Sequence, residues 1–246
     1  MRLGYTKYYE QPLDRLNGRI NALHESLEQH GFAIVVAADG VSENPSLVAT
    51  RLKVCDAGST FAVDGQFRHW TRGDSRSGRV VNLELPQSPE CSDAPSTLAV
   101  IVTHLHHTEC GQLRGVRAAE VTTLLEKWRE AVLRSPSNVA TVLATDMNSS
   151  RQQDYNSREW AVISAGCAKL GQPTDDGVPG ILASAGFTCA YNQAPGGTPT
   201  MTHWTGTVVD FPWCNFQRPE EWTVRSVKVL PTKLSDHLPV HTELDY

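Results

Sequence analysis

The sequence predicts a single α/β domain, and three observations carry that expectation. Apolar runs of strand length recur from Phe32 to Leu244. Between them lie segments whose apolar residues repeat at the three- and four-residue steps of a helix. Across 246 residues there is no internal repeat, low-complexity tract or long linker, so one domain accounts for the chain better than two. A hydrophobic content of 40% with 20% charged residues is that of a soluble globular protein with a sizeable core.

The elements follow in order. Leu13, Leu16, Ile20, Leu23 and Leu27 share one helical face, and Gly31 after His30 reads as the helix stop. Phe32–Ala38 is suited to a buried strand, with short strands expected at Leu47–Val54 and Thr60–Val63. Val81, Leu83 and Leu85 alternate with polar residues as in a half-buried strand. Pro86–Ser96 reads as an exposed loop, and Leu98–Val102 as an apolar strand running into Thr103-His104-Leu105. A helix is expected over Gly115–Leu133, burying Leu124, Leu125, Trp128 and Val132 and ended by Pro136. Val139–Ala144 is a further strand leading into Thr145-Asp146-Met147-Asn148. Residues 149–200 read as looser, with one or two short helices, and strands resume at Thr202–Phe211, Trp222–Val229 and Leu238–Leu244.

Several function classes are disfavoured. A net charge of −5 is not that of a polybasic nucleic-acid binder, although local Lys and Arg around a groove remain compatible with a nuclease. The six cysteines form no C-x-x-C pair, which argues against a zinc ribbon, and they read as small buried hydrophobes. Met1–Pro12 is not a secretory signal and no stretch approaches transmembrane length, so the expectation is an intracellular protein, cytoplasmic or nuclear. His104-Leu105-His106-His107 superficially suggests a zinc hydrolase, but Thr108 and Glu109 stand where H-x-H-x-D-H needs Asp and His. His106 and His107 therefore read as loop residues.

Polar clusters recur at the ends of apolar runs: His104, then Asp146 and Asn148, then Asp210 after Thr207-Val208-Val209, then Asp236-His237 before Leu238-Pro239-Val240. Strand ends from distant parts of a chain can converge at one rim of a sheet. Carboxylate and amide oxygens there suit Mg²⁺, a carboxylate can handle the proton of an attacking water, and a histidine can stabilise charge on a phosphoryl oxygen. Taken singly, each cluster has a plain turn reading. Arg117 is a candidate phosphate ligand against the alternative of a solvated helix face, and His203 is open between a rim contact and a packed side chain. Trp204 and Trp213, which flank Asp210, are either base-stacking residues or core and rim aromatics.

The ordered set T-H-L, D-x-N, apolar-Asp-aromatic and Ser235-Asp236-His237-Leu238-Pro239-Val240 resembles the endonuclease/exonuclease/phosphatase superfamily, over about Leu13 to Glu243. Tyr8-Tyr9-Glu10, Asn148-Ser149 and Leu230-Pro231 further resemble its deadenylase/nocturnin branch. The resemblance implies a four-layer α/β sandwich of two packed, mainly antiparallel sheets flanked by helices. It implies a Mg²⁺- or Mn²⁺-dependent phosphoester hydrolase acting on a phosphoester substrate such as nucleic acid. In it Asp146 orients or deprotonates water, and Asn148 binds phosphate or assists the metal. His104 contacts phosphate, Asp236 is a metal ligand, His237 stabilises the transition state, and Asp210 orients His237 or holds the metal. Thr145 stands where the family has Gly. The family also has a strand ending in Gln-Glu that supplies a metal-binding glutamate; Glu10 has no apolar run before it, so the first strands and that ligand are expected to be missing. The alternatives are a phosphomonoesterase or lipid phosphodiesterase of the same fold, or a non-catalytic binding relic.

Overall fold

A computed structural model describes residues 25–31, 33–37, 46–58, 61–63, 76–86, 96–109, 111, 114–135, 137–197, 199, 201–231 and 236–246. Most of the first predicted helix, Glu10 and Ser235 lie outside the described residues. Residues 25–29 are helical, and Gly31 takes φ 77°, the left-handed conformation expected of a helix-stopping glycine.

Eleven strands are described: β1 (Ala33–Ala37), β2 (Ser46–Thr50), β3 (Val54–Asp56), β4 (Phe61–Ala62), β5 (Ser77–Glu84), β6 (Thr97–His104), β7 (Asn138–Asp146), β8 (Thr188–Cys189), β9 (Asp210–Phe216), β10 (Thr223–Val229) and β11 (Val240–Asp245). The helices are α1 (Val116–Arg134), α2 (Ser157–Lys169) and α3 (Val178–Ser184). A seven-stranded sheet runs β3-β5-β6-β7-β9-β8, with β4 also paired to β5. Its β6–β7 pair is parallel, α1 being the crossover, and its other pairs are antiparallel. β1–β2 and β10–β11 form separate antiparallel ribbons.

Alternation along the central strands sorts their side chains into two layers. Ala99, Ile101, Leu143, Phe211 and Trp213 point to one face, where they pack with Val121, Leu124, Leu125 and Trp128 of α1 and with Val178 and Leu182 of α3. Trp128 closes this layer by meeting Phe187 edge-on at 4.8 Å and donating from Nε1 to Thr141 Oγ1 at 3.0 Å. The opposite face meets the ribbons: Val81, Leu83 and Val102 pack with Val48, and Cys214 packs with Val224, Val142, Phe216 and Leu244. Two β layers are thus packed face to face, with helices outside the larger sheet.

Several boundaries move from expectation. The strand expected over Leu47–Val54 breaks at residues 51–53 into β2 and β3, and Val132 is only half-buried. The strand expected at Thr202–Phe211 begins only at Asp210, because residues 202–207 instead form a turn closed by His203 N donating to Thr207 O at 3.0 Å. Of the cysteines described, Cys189 and Cys214 are buried as expected, while Cys55 is exposed and Cys167 half-buried.

Leu143 lies on β7 at the centre of the helix-facing core and is fully buried. Leu143→Ala is expected to lower the free energy of unfolding by about 2–5 kcal/mol, read from urea denaturation, as truncation of a buried leucine leaves a cavity.

Candidate functional site

β6 and β7 are parallel, so both end at the same edge of the sheet, and β9 is antiparallel to β7, so it begins there. The register then places His104 opposite Asp146 and Asp146 opposite Asp210, a row of three across neighbouring strands. Paired residues share a face and neighbouring strands lie about 4.8 Å apart, so the three side chains meet. By alternation from Ile101, Leu143 and Phe211 they point away from α1, toward the ribbon layer. His237 arrives from that layer, three residues before β11. The site therefore lies where the two β layers meet.

Asp146 is the hub. Its Oδ2 lies 3.2 Å from His104 Nε2 and 3.6 Å from His237 Nε2, and its Oδ1 accepts from Asn148 N at 2.9 Å. Burial works against its charge, but the His104 hydrogen bond, both imidazoles and the Asn148 N–H outweigh it and hold the pKa below the usual aspartate range. His237 Nδ1 lies 2.9 and 3.1 Å from the two Asp210 carboxylate oxygens. That hydrogen bond is the main reason the His237 pKa is raised to about 9; burial opposes it, and the charges of Asp210, Asp146 and Asp236 add to it. At neutral pH His237 is a cation.

Asp210 is fixed from both sides: its N–H donates to Thr202 Oγ1 at 3.1 Å and its carbonyl accepts from the buried Tyr191 hydroxyl at 2.9 Å. Thr202 is fully buried, and its own carbonyl accepts from Leu238 N at 2.7 Å. One threonine thereby ties the start of β9 to the segment carrying His237. No sequence motif signalled Thr202 or Tyr191; both bring a side-chain hydroxyl to the backbone of Asp210.

Asn148 has φ 48°, a left-handed conformation that asparagine tolerates better than most residues. Its Nδ2 donates to Leu105 O at 3.0 Å and lies 2.9 Å from His104 Nε2. Arg117 Nη1 donates to its carbonyl.

Arg117 corrects both sequence readings, phosphate ligand and solvated helix face. Its side chain is only 3% exposed, with Nε 2.6 Å from Asp176 Oδ2 and 3.3 Å from Glu109 Oε2. Each acid also caps a helix. Glu109 accepts from Gly115 N and Arg117 N, where Gly115 at the start of α1 offers no side-chain cap. Asp176 accepts from Val178 N at 3.1 Å, entering α3, and from Ser149 Oγ at 2.8 Å. Arg117 thus locks the Asp146–Ser149 loop onto two helix starts, and a buried guanidinium spent on backbone and carboxylates is not a substrate ligand.

Trp204 is 54% exposed at the rim, and its N–H donates to Asp236 O at 2.9 Å. Trp213, by contrast, is a core residue whose Nε1 donates to Met147 Sδ at 3.1 Å, which removes it as a stacking surface. His106 lies in the loop after β6, as expected, and is buried there: its N–H donates to Glu120 Oε2 at 2.8 Å, and its ring stacks on His107 at 5.0 Å. His203, left open by the sequence, is nearly buried beside His237, and burial together with the His237 charge lowers its pKa.

Among the described residues the side chains that could hold a metal form two clusters that share His237. One is Asp146, Asp210 and His237; the other is His203, Asp236 and His237. The expected ligands Asp146 and Asp236 fall into different clusters.

Two measurements test this geometry. Arg117→Met leaves two buried carboxylates without their cation and is expected to destabilise the fold by about 3–5 kcal/mol in urea denaturation. In metal-free protein, the His237 imidazole is expected to titrate near 9 by NMR and to fall toward the ordinary histidine value in Asp210→Asn. Because its folded pKa is raised, the stability His237 contributes is complete below about 6.5, the unfolded value, and is lost as pH rises through 9.

No protein-family model matches the sequence, and no curated protein matches it. Solved structures do match. The catalytic domain of human nocturnin with a bound sulfate anion is 15% identical over 91% of this chain and 75% of its own, with a TM-score of 0.58. The 3′ phosphatase NExo from Neisseria, bound to a product DNA hairpin, is 15% identical over 90% of this chain and 82% of its own, with a TM-score of 0.61. A mannosyl-6-phosphatase from Bacteroides thetaiotaomicron is 14% identical over 88% of this chain and 78% of its own, with a TM-score of 0.57. The chain has the endonuclease/exonuclease/phosphatase fold.

Proposed function

We propose that this chain is a divalent-metal-dependent phosphoester hydrolase of the nuclease-type phosphodiesterase class. The observation that carries the reading is His237, held by Asp210 at 2.9 Å and set 3.6 Å from the Asp146 carboxylate, with His104 Nε2 3.2 Å from that same carboxylate oxygen. A fixed cation, a fixed anion and a second imidazole at one open rim are the parts that in-line attack on phosphorus needs.

In this reading Asp146 orients the attacking water. Its low pKa makes it a weak proton acceptor, so orientation and charge outweigh base strength in its role. The water oxygen bonds to phosphorus and releases a proton to solvent, the ester P–O bond breaks opposite it, and the leaving oxygen takes up a proton from solvent. His237 donates a charge-assisted hydrogen bond to a phosphoryl oxygen as negative charge builds there, and Asp210 keeps its ring turned for this. His104 and the Asn148 amide bind a second phosphoryl oxygen.

The residues present fit a hard divalent cation. Asp146, Asp210 and Asp236 outnumber the His237 cation, and Asp236, with its side chain 53% exposed, offers carboxylate oxygen at the mouth. Asp146 would hold Mg²⁺ or Mn²⁺ with the Asn148 amide assisting, and Asp236, which belongs to the neighbouring cluster, would join by turning its exposed carboxylate toward that ion; the ion would neutralise phosphate charge and acidify bound water. Trp204, exposed at the rim next to Asp236, favours a substrate with a base to stack on, a nucleic acid, over a sugar or lipid phosphate. Structures of the same fold that hold a sulfate or a DNA hairpin support this reading. No helix among the described residues is long and apolar enough to cross a membrane.

The test is hydrolysis of RNA, DNA, inositol phosphate and sphingomyelin with Mg²⁺. The expected result is turnover of a nucleic acid, a loss of about 10²–10⁴-fold in Asp146→Asn and in His237→Ala, and a smaller loss, mainly in KM, in Trp204→Ala. Turnover of none of the four substrates, or full activity in His237→Ala, would sink the assignment.

A further inference from the structure

His203 has no part in the hydrolytic scheme, yet its ring centre is 4.6 Å from that of His237. The backbone dictates this approach. The two residues are opposite one another in an antiparallel bridge. Its flanking hydrogen bonds run from Trp204 N to Asp236 O at 2.9 Å and from Leu238 N to Thr202 O at 2.7 Å. That is the non-hydrogen-bonded register, in which opposed side chains come closest.

Both rings are held from their Nδ1 side: His203 Nδ1 is 2.7 Å from Thr205 Oγ1, and His237 Nδ1 is 2.9 Å from Asp210 Oδ2. Metal-ligating histidines are typically anchored in this way, through the ring nitrogen that does not bind the ion. His203 Nε2 then lies 3.9 Å from Asp236 Oδ2, and one ligand atom each from His203, Asp236 and His237 falls within 4.8 Å of the others.

We propose that His203, Asp236 and His237 form a second cation site, selective for a transition metal of the zinc class, and that an ion bound there inhibits the hydrolytic site. Two imidazoles and one carboxylate are the donor set of a four-coordinate ion with one open position. Mg²⁺ prefers an all-oxygen octahedron and does not compete well for such a set. The bound ion takes the place of the His237 Nε2 proton, which passes to solvent, and so withdraws His237 from the phosphoryl oxygen and Asp236 from the hard-metal set. Only this inhibitory consequence rests on the hydrolase reading; the binding rests on geometry alone.

The metal-free full chain is titrated with Co²⁺ alone, reading visible absorption, and Zn²⁺ and Mg²⁺ are then added as competitors. One equivalent of Co²⁺ is expected to bind with the spectrum of a four- or five-coordinate nitrogen-ligated ion, displaced by Zn²⁺ and not by Mg²⁺. Affinity is expected to fall about tenfold or more in His203→Gln and in Asp236→Asn. His203→Gln keeps a polar side chain beside Thr205, Asp236 is half-exposed, and thermal melts confirm that both variants are folded. Absence of the spectrum in the wild type overturns the site. So does unchanged affinity in both variants, which places the ion at Asp146, Asp210 and His237 instead. Where the chain hydrolyses a phosphoester with Mg²⁺, Zn²⁺ is expected to inhibit the wild type at about tenfold lower concentration than His203→Gln, and equal potency overturns the inhibitory role. Co²⁺ bound through these residues in a chain inactive on every substrate supports the site and defeats the hydrolase reading.

Discussion

The candidate site depends on the pairing register of β6, β7 and β9. His104, Asp146 and Asp210 are far apart in sequence and carry no affinity for one another as isolated groups. They meet because the pairing sets His104 opposite Asp146 and Asp146 opposite Asp210. A slip of one residue in β7 would turn Asp146 to the apolar face that packs on α1, where a carboxylate is costly. Burial of Ile101, Leu143 and Phe211 on that same face opposes the slip. Hydrophobic alternation therefore places the chemistry: the core fixes the register, and the register delivers the row.

Around that row the protein spends buried polar groups on backbone rather than on substrate. Arg117 clamps the Asn148 carbonyl between two helix-capping acids, and Thr202 joins the start of β9 to the segment before β11. Buried charges of this kind are costly unless satisfied. Here each carboxylate accepts from helix N–H groups and is also ion-paired with the guanidinium. The outcome is a loop held in a left-handed turn at Asn148 and a His237–Asp210 pair anchored at both ends. Preorganisation of this sort lets dipoles and charges act on a transition state without first reorganising.

Much of this was legible in the sequence where a strong periodic signal met a chemically distinctive end. β6, β7 and α1 were placed within a residue or two of their observed limits, and the rim residues were found because apolar runs stopped at His104 and Asp146. Asp210 was reached by a partly wrong route: it begins a strand rather than ending one, and antiparallel pairing brings both kinds of terminus to one edge. Arg117 was misread because a charged residue on a helix is ordinarily solvated, and its two acids, Glu109 and Asp176, lie in segments without periodicity. Trp213 and Trp204 looked alike in sequence. Alternation within β9 buries the first, while the turn before it exposes the second. His203 was undecidable because its partner in the bridge is 34 residues away, a pairing that no local pattern reports.

The claim that this sheet edge is a phosphoryl-binding centre is tested most directly by a crystal structure of the protein with inorganic phosphate and Mg²⁺. The account predicts phosphate oxygens within hydrogen-bond distance of His237 Nε2 and of His104 or Asn148, with Asp210 still paired to His237 Nδ1. Phosphate bound elsewhere, with His237 and Asp146 turned away from it, would contradict the account.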